Sequence, residues 1–264
     1  MKAGIAIAIA LLGTAGARAD VWDLGSDSDN DSGSDNEIVH GLTQVHDLAA
    51  RAGGTIEDVD WYAFRLPESR SFEIRMDGIT GDTAGVGPSL DVIGANGTTV
   101  VQSASTVTPS GSARVLRIMS DVTGTGDATL FVRVSDPQCG LACTGDDEYR
   151  IHAFDTTMAL ARYNNRNGQV TVLILQNPSD RTITFRAGAY LDSGSLVGTI
   201  PGQIPAHGTS VINLDTFNNS GLHDQSGSLV IRHDGPYLGL AGKGVALEPA
   251  TGFTFDTAIT PAPR

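Results

Sequence analysis

Residues 57–64 read Glu-Asp-Val-Asp-Trp-Tyr-Ala-Phe, in which two alternating carboxylates lead into an aromatic-rich run. Side chains along a β-strand point alternately to the two faces of the sheet. The stretch therefore predicts a strand over 60–66, with Asp58 and Asp60 on one side and Val59 and Trp61 on the other. A single Trp within an apolar strand is typical of a core residue, although an exposed Trp could stack on a sugar ring.

Similar apolar segments, each of about five to eight residues, recur from Ile38 onward and are separated by Gly, Asn, Asp, Ser and Pro, which is typical of antiparallel sheet. No segment shows a convincing helical pattern. Asn96-Gly97 marks a tight turn, because both residues tolerate positive φ. One series of segments precedes residues 155–158 and a second follows them. The sequence predicts an all-β protein of two tandem antiparallel β-sandwiches, the first jelly-roll-like and the second Ig-like.

The N-terminus has the pattern of a Sec signal peptide. Lys2 precedes an apolar run over residues 3–12, and Ala17 and Ala19 are the small residues that signal peptidase requires. The apolar run is too short to span a bilayer. We therefore expect export, to the periplasm or out of the cell, after cleavage before Asp20. The predicted parts are a signal peptide (1–19), an acidic spacer (20–36), a first sandwich (37–157) and a second sandwich (158–264), whose tail from residue 249 closes the domain and frays at its end.

The chain carries 30 acidic and 17 basic side chains, a formal net charge of −13. This charge argues against nucleic acid and anionic membranes as partners, because both have the same sign. Many of the acids fall in residues 20–36, which we interpret as a solvated spacer. An EF-hand loop beginning at Asp27 is the alternative, but it would require Gly at Ser32 and an acid at Ile38.

The two cysteines, Cys139 and Cys143, are separated by three small or apolar residues. In an oxidising compartment such a pair usually closes a local disulfide. A zinc site would need more ligands, and His152 is the only histidine nearby. We therefore expect a disulfide.

The Asp58-Val59-Asp60-Trp61-Tyr62 run resembles the bacterial pre-peptidase C-terminal domain. That domain is a β-sandwich found beside secreted proteases and related to the collagen-binding domains of clostridial collagenases. The resemblance covers about residues 35–157, and the other segments that carry it are Asn36-Glu37, Gly54, residues 89–92 with the Asn96-Gly97 turn, residues 130–134 and residues 149–151.

Calcium-binding members of that family take their ligands from the acidic segment before the first strand and from the Asp-x-Asp-aromatic motif. The resemblance therefore implies calcium as a cofactor, with Asp35, Asn36, Glu37, Asp58 and Asp60 as ligands. A hard cation prefers several oxygen ligands and holds together carboxylates that otherwise repel one another. The order Asp35-Asn36-Glu37 departs from the family's usual Glu-Pro-Asn-Asp. A purely structural turn at Asp58 and Asp60 is the alternative.

The second half resembles the Ig-like C-terminal modules of secreted bacterial proteins. Residues 172–178, 204–209 and 233–237 carry this likeness. It implies a fold and little chemistry.

Sequence motifs of catalysis are missing. No Ser has Gly at both −2 and +2, and no His-Glu-x-x-His occurs. His233-Asp234 could orient a base beside a serine, but a polar turn at a strand end is the simpler interpretation. We expect an exported, non-catalytic binding, adhesion or protease-accessory protein, calcium-stabilised, whose partner is an extracellular protein fibre, a polysaccharide or a co-secreted protease. The alternatives are a structural or secretion-accessory module without a ligand, and a cryptic hydrolase.

Overall fold

The structure is a computed structural model that describes residues 29, 31–34, 36–50, 56–80, 87–104, 113–120, 128–137, 140–144, 147–217 and 221–263. The predicted signal peptide, Asp35, Gly54 and Cys139 lie outside these ranges. Within them the chain is built from antiparallel strands, with one short 3-10 helix at Gly140–Ala142. None of the described helical segments is long and apolar enough to cross a membrane. The predicted all-β, antiparallel fold is confirmed.

The described residues form sixteen strands. In chain order they are β1 (Thr43–Asp47), β2 (Val59–Leu66), β3 (Ser71–Asp77), β4 (Ser89–Ile93), β5 (Val100–Ala104), β6 (Arg114–Met119), β7 (Ala128–Ser135), β8 (Glu148–Asp155), β9 (Met158–Asn164), β10 (Val170–Gln176), β11 (Ile183–Leu191), β12 (Leu196–Ile204), β13 (Thr209–Asn213), β14 (Ser226–His233), β15 (Ala241–Glu248) and β16 (Phe253–Pro261).

The first half contains two four-stranded sheets, ordered β2-β7-β4-β5 and β1-β8-β3-β6. Both contribute to one hydrophobic cluster, to which β2 gives Tyr62 and Phe64 and β8 gives Tyr149 and Ile151. Because alternate side chains of a strand face the same way, Asp60 points to the same interior side as Tyr62 and Phe64. The arrangement fits a β-sandwich, and it places an acidic side chain inside.

The second half forms one eight-stranded sheet that is nearly closed, in the order β12-β11-β14-β9-β16-β15-β10-β13. It surrounds a separate hydrophobic cluster, from Met158 to Ile259. The edge strand β12 contains Pro201, and edge strands tolerate proline because one side needs no ladder hydrogen bond. That each half is an independent domain stays a prediction.

The fraying expected at the very end of the C-terminal tail stays a prediction, but residues 253–261 of the tail belong to the second sheet. These residues form β16, which lies between β9 and β15 inside the sheet. Ile259 pairs with Leu160 of β9 and is 8% exposed. Backbone hydrogen bonds to β15 on one side and to β9 on the other hold the strand in place.

The two halves touch through polar and aromatic groups. Residues 156 and 157 connect β8 directly to β9. Buried Arg232 of β14 donates to the Ser120 carbonyl, and the hydroxyls of Ser69 and Tyr190 lie 2.8 Å apart. The rings of Phe154 and Tyr237 stack with centroids 4.9 Å apart.

Candidate metal centre

Three buried side chains converge inside the first sandwich: Asp29, His46 and Asp60. One ligand atom from each lies within 4.8 Å of the other two. They come from three separate elements, since Asp29 lies in the acidic segment, His46 on β1 of one sheet and Asp60 on β2 of the other. Their side chains are no more than 1% exposed. The group therefore joins the two sheets and the N-terminal segment.

The acidic segment reaches this place because it runs along the open edge of β2. The Trp61 amide donates to the Asp29 carbonyl at 2.6 Å, and the Ala63 amide donates to the Asn36 carbonyl at 2.7 Å. The Ile38 amide donates to the Ala63 carbonyl at 3.1 Å. An edge strand leaves amides that need acceptors, and this segment supplies them. The solvated-spacer interpretation is therefore wrong for the described end of residues 20–36.

A tight turn lets the segment make both contacts with β2. The Gly33 amide donates to the Asp31 carboxylate at 2.7 Å, and the Ser34 amide donates to the Asp31 carbonyl at 3.1 Å. Such Asx turns are a common use of Asp before Gly. Asp31 thus acts here as a turn residue.

The ring of His46 is oriented by Gln44, two residues earlier on β1. The Gln44 amide nitrogen donates to the Glu37 carbonyl at 2.9 Å, so its oxygen is the atom 3.1 Å from His46 Nε2. An amide oxygen can only accept, and Nε2 must therefore carry the hydrogen. In the neutral ring, this places the lone pair on Nδ1, which lies 3.8 Å from the Asp29 carboxylate. Metal-binding histidines are commonly fixed by such a partner on the other ring nitrogen.

Asp60 is positioned by two tyrosines of the interior. The Tyr149 hydroxyl donates to Asp60 Oδ2, and the hydroxyls of Tyr62 and Tyr149 lie 2.5 Å apart. Burial, followed by the negative charge of Asp60, raises the pKa of Tyr149 well above its ordinary value. The phenol is therefore held in its neutral, donating form. His46 stacks on Tyr149, with ring centroids 5.7 Å apart.

Asn36 and Asp58 are two further buried residues with oxygen donors. Asn36 ends the acidic segment, and Asp58 directly precedes β2. Asn36 is 6% exposed, and neither atom of its amide head has a hydrogen-bond partner among the described residues. Asp58 is 2% exposed and lies two residues before Asp60, on the same side of the chain. Buried polar groups are normally satisfied, and a bound cation would satisfy an amide oxygen. The chemistry of these buried oxygen and nitrogen donors is therefore compatible with a divalent cation.

The structure divides the residues predicted as ligands. Asp60 belongs to the convergent group, and Asn36 and Asp58 are buried beside β2, whereas Glu37 is exposed. Asp35 lies outside the described residues. Sequence reasoning did not predict Asp29 and His46 as ligands. The one local feature that could have indicated His46 is its position two residues after Gln44 on the same face of a strand.

Other residues that the sequence analysis considered for function make contacts that are typical of structural residues. Trp61 is 9% exposed, as expected of a core residue, and Arg133 lies over its ring at 5.6 Å. Asp234 accepts a hydrogen bond from the Thr184 amide at 2.7 Å, and His233 Nδ1 accepts one from the Gly235 amide at 3.1 Å. Cys143 is buried, and its disulfide with Cys139 stays a prediction because Cys139 lies outside the described residues.

No protein-family model and no curated protein sequence matches the chain. Among solved structures, it is similar to a β-glucuronidase of Bacteroides uniformis (13% identity, TM-score 0.22, covering 81% of this chain and 32% of that one). It is also similar to the M60 catalytic domain with two CBM51 domains of ZmpB from Clostridium perfringens (8% identity, TM-score 0.24, 74% and 35% covered). A glycosyl hydrolase family 2 member from Bacteroides cellulosilyticus gives 9% identity and a TM-score of 0.23, with 84% and 30% covered. The chain spans about a third of the length of these proteins, and similarities this low carry no argument about function.

Proposed function

We propose that the protein is an exported, non-catalytic binding protein whose first sandwich is clamped by a divalent cation, with calcium as the ion. The observation that carries the proposal is the convergence of Asp29, His46 and Asp60 in the interior. Burying carboxylates this close together is costly, because they lose water and repel each other. A cation bound between them would convert that repulsion into attraction.

The position of the group explains what the clamp would do. Asp29 belongs to a segment that hydrogen-bonds the edge of β2, and Asp60 and His46 belong to facing sheets. A cation bound to all three would fix the N-terminal segment on β2 and tie the two sheets together. We infer that the rigid sandwich then presents its surface to an extracellular partner, a protein fibre, a polysaccharide or a co-secreted protease.

Calcium suits the carboxylate oxygens of Asp29 and Asp60, since it takes six to eight oxygen ligands, and Asn36 and Asp58 are further buried oxygen donors of the acidic segment and of the residues before β2. His46 Nδ1 favours a second candidate, zinc, which readily takes nitrogen together with carboxylate oxygen. The two ions make different demands on His46. Replacing His46 with Gln would leave calcium binding largely intact but would strongly weaken zinc binding.

The test is thermal unfolding of the protein after EDTA treatment, with and without added calcium or zinc. The proposal expects a rise in Tm with one of these ions that returns to the EDTA value in Asp60→Asn. Asp256→Asn, which changes an exposed acid on β16, serves as the control and should keep the full rise. An unchanged Tm with both ions would leave the alternative of a structural module without a ligand.

A further inference from the structure

A surface cleft of about 390 Å³ opens beside the segment that follows Asn36. Its volume lies within the range of ligand-binding pockets, which begins at roughly 300 Å³. The residues that line it come from the segment after Asn36, from the end of β2, from the connection to β3 and its start, and from the end of β8. The apolar ones among them are Ile38, Val39, Phe64, Pro67 and Phe72.

Four charged residues line this cleft, and two of them of opposite sign are Glu37 and Arg65. Both are exposed, and neither side chain makes a hydrogen bond or ion pair within the described part of the chain. Glu37 bridges Ala63 of β2, and Arg65 lies two residues further along the same strand, so the two charges lie diagonally across the strand pair. The neighbouring Arg70, by contrast, is held by Asp155 at 3.1 Å.

We propose that this cleft binds a segment of a partner protein that places one apolar side chain between an acidic and a basic residue. This inference rests on the proposed binding function. Among the proposed partners, it favours a protein over a polysaccharide. The exposed lining of the cleft is mainly apolar, which suits a leucine-sized side chain rather than the hydroxyl groups of a polysaccharide. Glu37 and Arg65 are placed to pair with charges of both signs flanking that side chain, and such complementarity fixes the direction of the bound segment.

The test uses two model peptides on the full protein, acetyl-Gly-Lys-Leu-Glu-Gly-amide and its reversed order acetyl-Gly-Glu-Leu-Lys-Gly-amide. Binding is followed by NMR shift titration or calorimetry. The proposal expects saturable binding of one order at least fivefold tighter than the other, and loss of binding when Leu is replaced by Gly. The double variant E37R/R65E, which exchanges the two charges, should reverse the preferred order.

Two further variants separate the cleft from a general effect on the fold. Val39→Trp, which changes a side chain that is 37% exposed, should block the cleft and abolish binding while leaving the Tm near that of the unmodified protein. Arg162→Glu changes an exposed arginine on β9 and should leave peptide affinity unchanged. If Val39→Trp lowers the Tm strongly, the E37R/R65E exchange still decides the result, since both of its side chains are exposed.

Three results would overturn the inference: no saturable binding of either peptide, equal binding of both orders, or tight binding of cellohexaose or chitohexaose with no peptide binding. None of these involves the cation. The Tm rise with calcium or zinc is measured without peptide, so failure of the cleft and failure of the clamp give different results.

Discussion

Tyr149 on β8 donates its hydroxyl hydrogen to the carboxylate of Asp60 on β2, across the interior between two facing sheets. This contact fixes one oxygen of Asp60, whose carboxylate belongs to the convergent group. It also means that the core depends on a buried polar contact. Hydrogen bonds to charged groups contribute more to stability than neutral ones do.

Tyr149→Phe should therefore destabilise the protein by about 2 kcal/mol, because the Asp60 carboxylate loses a buried donor. Urea unfolding measures this change. Tyr163→Phe is the matched control: Tyr163 is 1% exposed, and its hydroxyl has no hydrogen-bond partner among the described residues. The control should be neutral or slightly stabilising. Equal losses in the two variants would show that the Tyr149 contact is not specific.

Stability should also fall in mildly acidic solution because of His233. Burial, opposed in part by the charge of Asp234, lowers the pKa of His233 from 6.5 to about 4. A folded pKa below the unfolded one means that the unfolded chain binds the proton first. Stability is therefore complete above about pH 6.5 and is lost as the pH falls toward 4, by about 3 kcal/mol in total.

The variant His233→Gln tests this origin. It lacks the titrating ring, so its free energy of unfolding should fall less steeply between pH 6.5 and 4 than that of the unmodified protein. Other groups act on the same ring, namely Asp234, Asp155 and Arg117, and they remain in the variant. An unchanged slope in His233→Gln would assign the acid sensitivity to other groups.

Gly227→Ala should strongly destabilise the second half. A Cβ at Gly227 would lie 1.8 Å from the Tyr190 carbonyl oxygen of the neighbouring strand β11. The backbone would have to move apart, which costs about 3 kcal/mol. Gly94→Ala is the control, since its nearest atom would be 3.5 Å away. The prediction fails if the two variants have the same urea midpoint.

Local sequence patterns were sufficient to predict several elements of the fold. Alternation over 59–66 identified β2 and the common side of Asp58 and Asp60, and Asn96-Gly97 identified a turn in which Gly97 has a φ of 69°. The strand β16 was not predicted, and most of its side chains are exposed. Its place is set by β9 and β15, which are distant in sequence.

The candidate metal centre could be predicted only in part. Asp60 carries a local motif, whereas ligation by Asn36 and Asp58 stays a prediction; both side chains are buried. Asp29 and His46 meet only because the acidic segment pairs with the edge of β2 while β1 joins the other sheet. The sequence separation of Asp29 and His46 gives no indication that their side chains lie close together.

The most direct test of the clamp is the amount of calcium and zinc bound per chain. After equilibrium dialysis against both ions, the account predicts one ion per chain in the unmodified protein and none in the double variant D29N/D60N, with the control D256N retaining its ion. Circular dichroism confirms that each sample is folded. A folded, unmodified protein that binds neither ion, or a double variant that binds as much as the unmodified protein, would contradict the account.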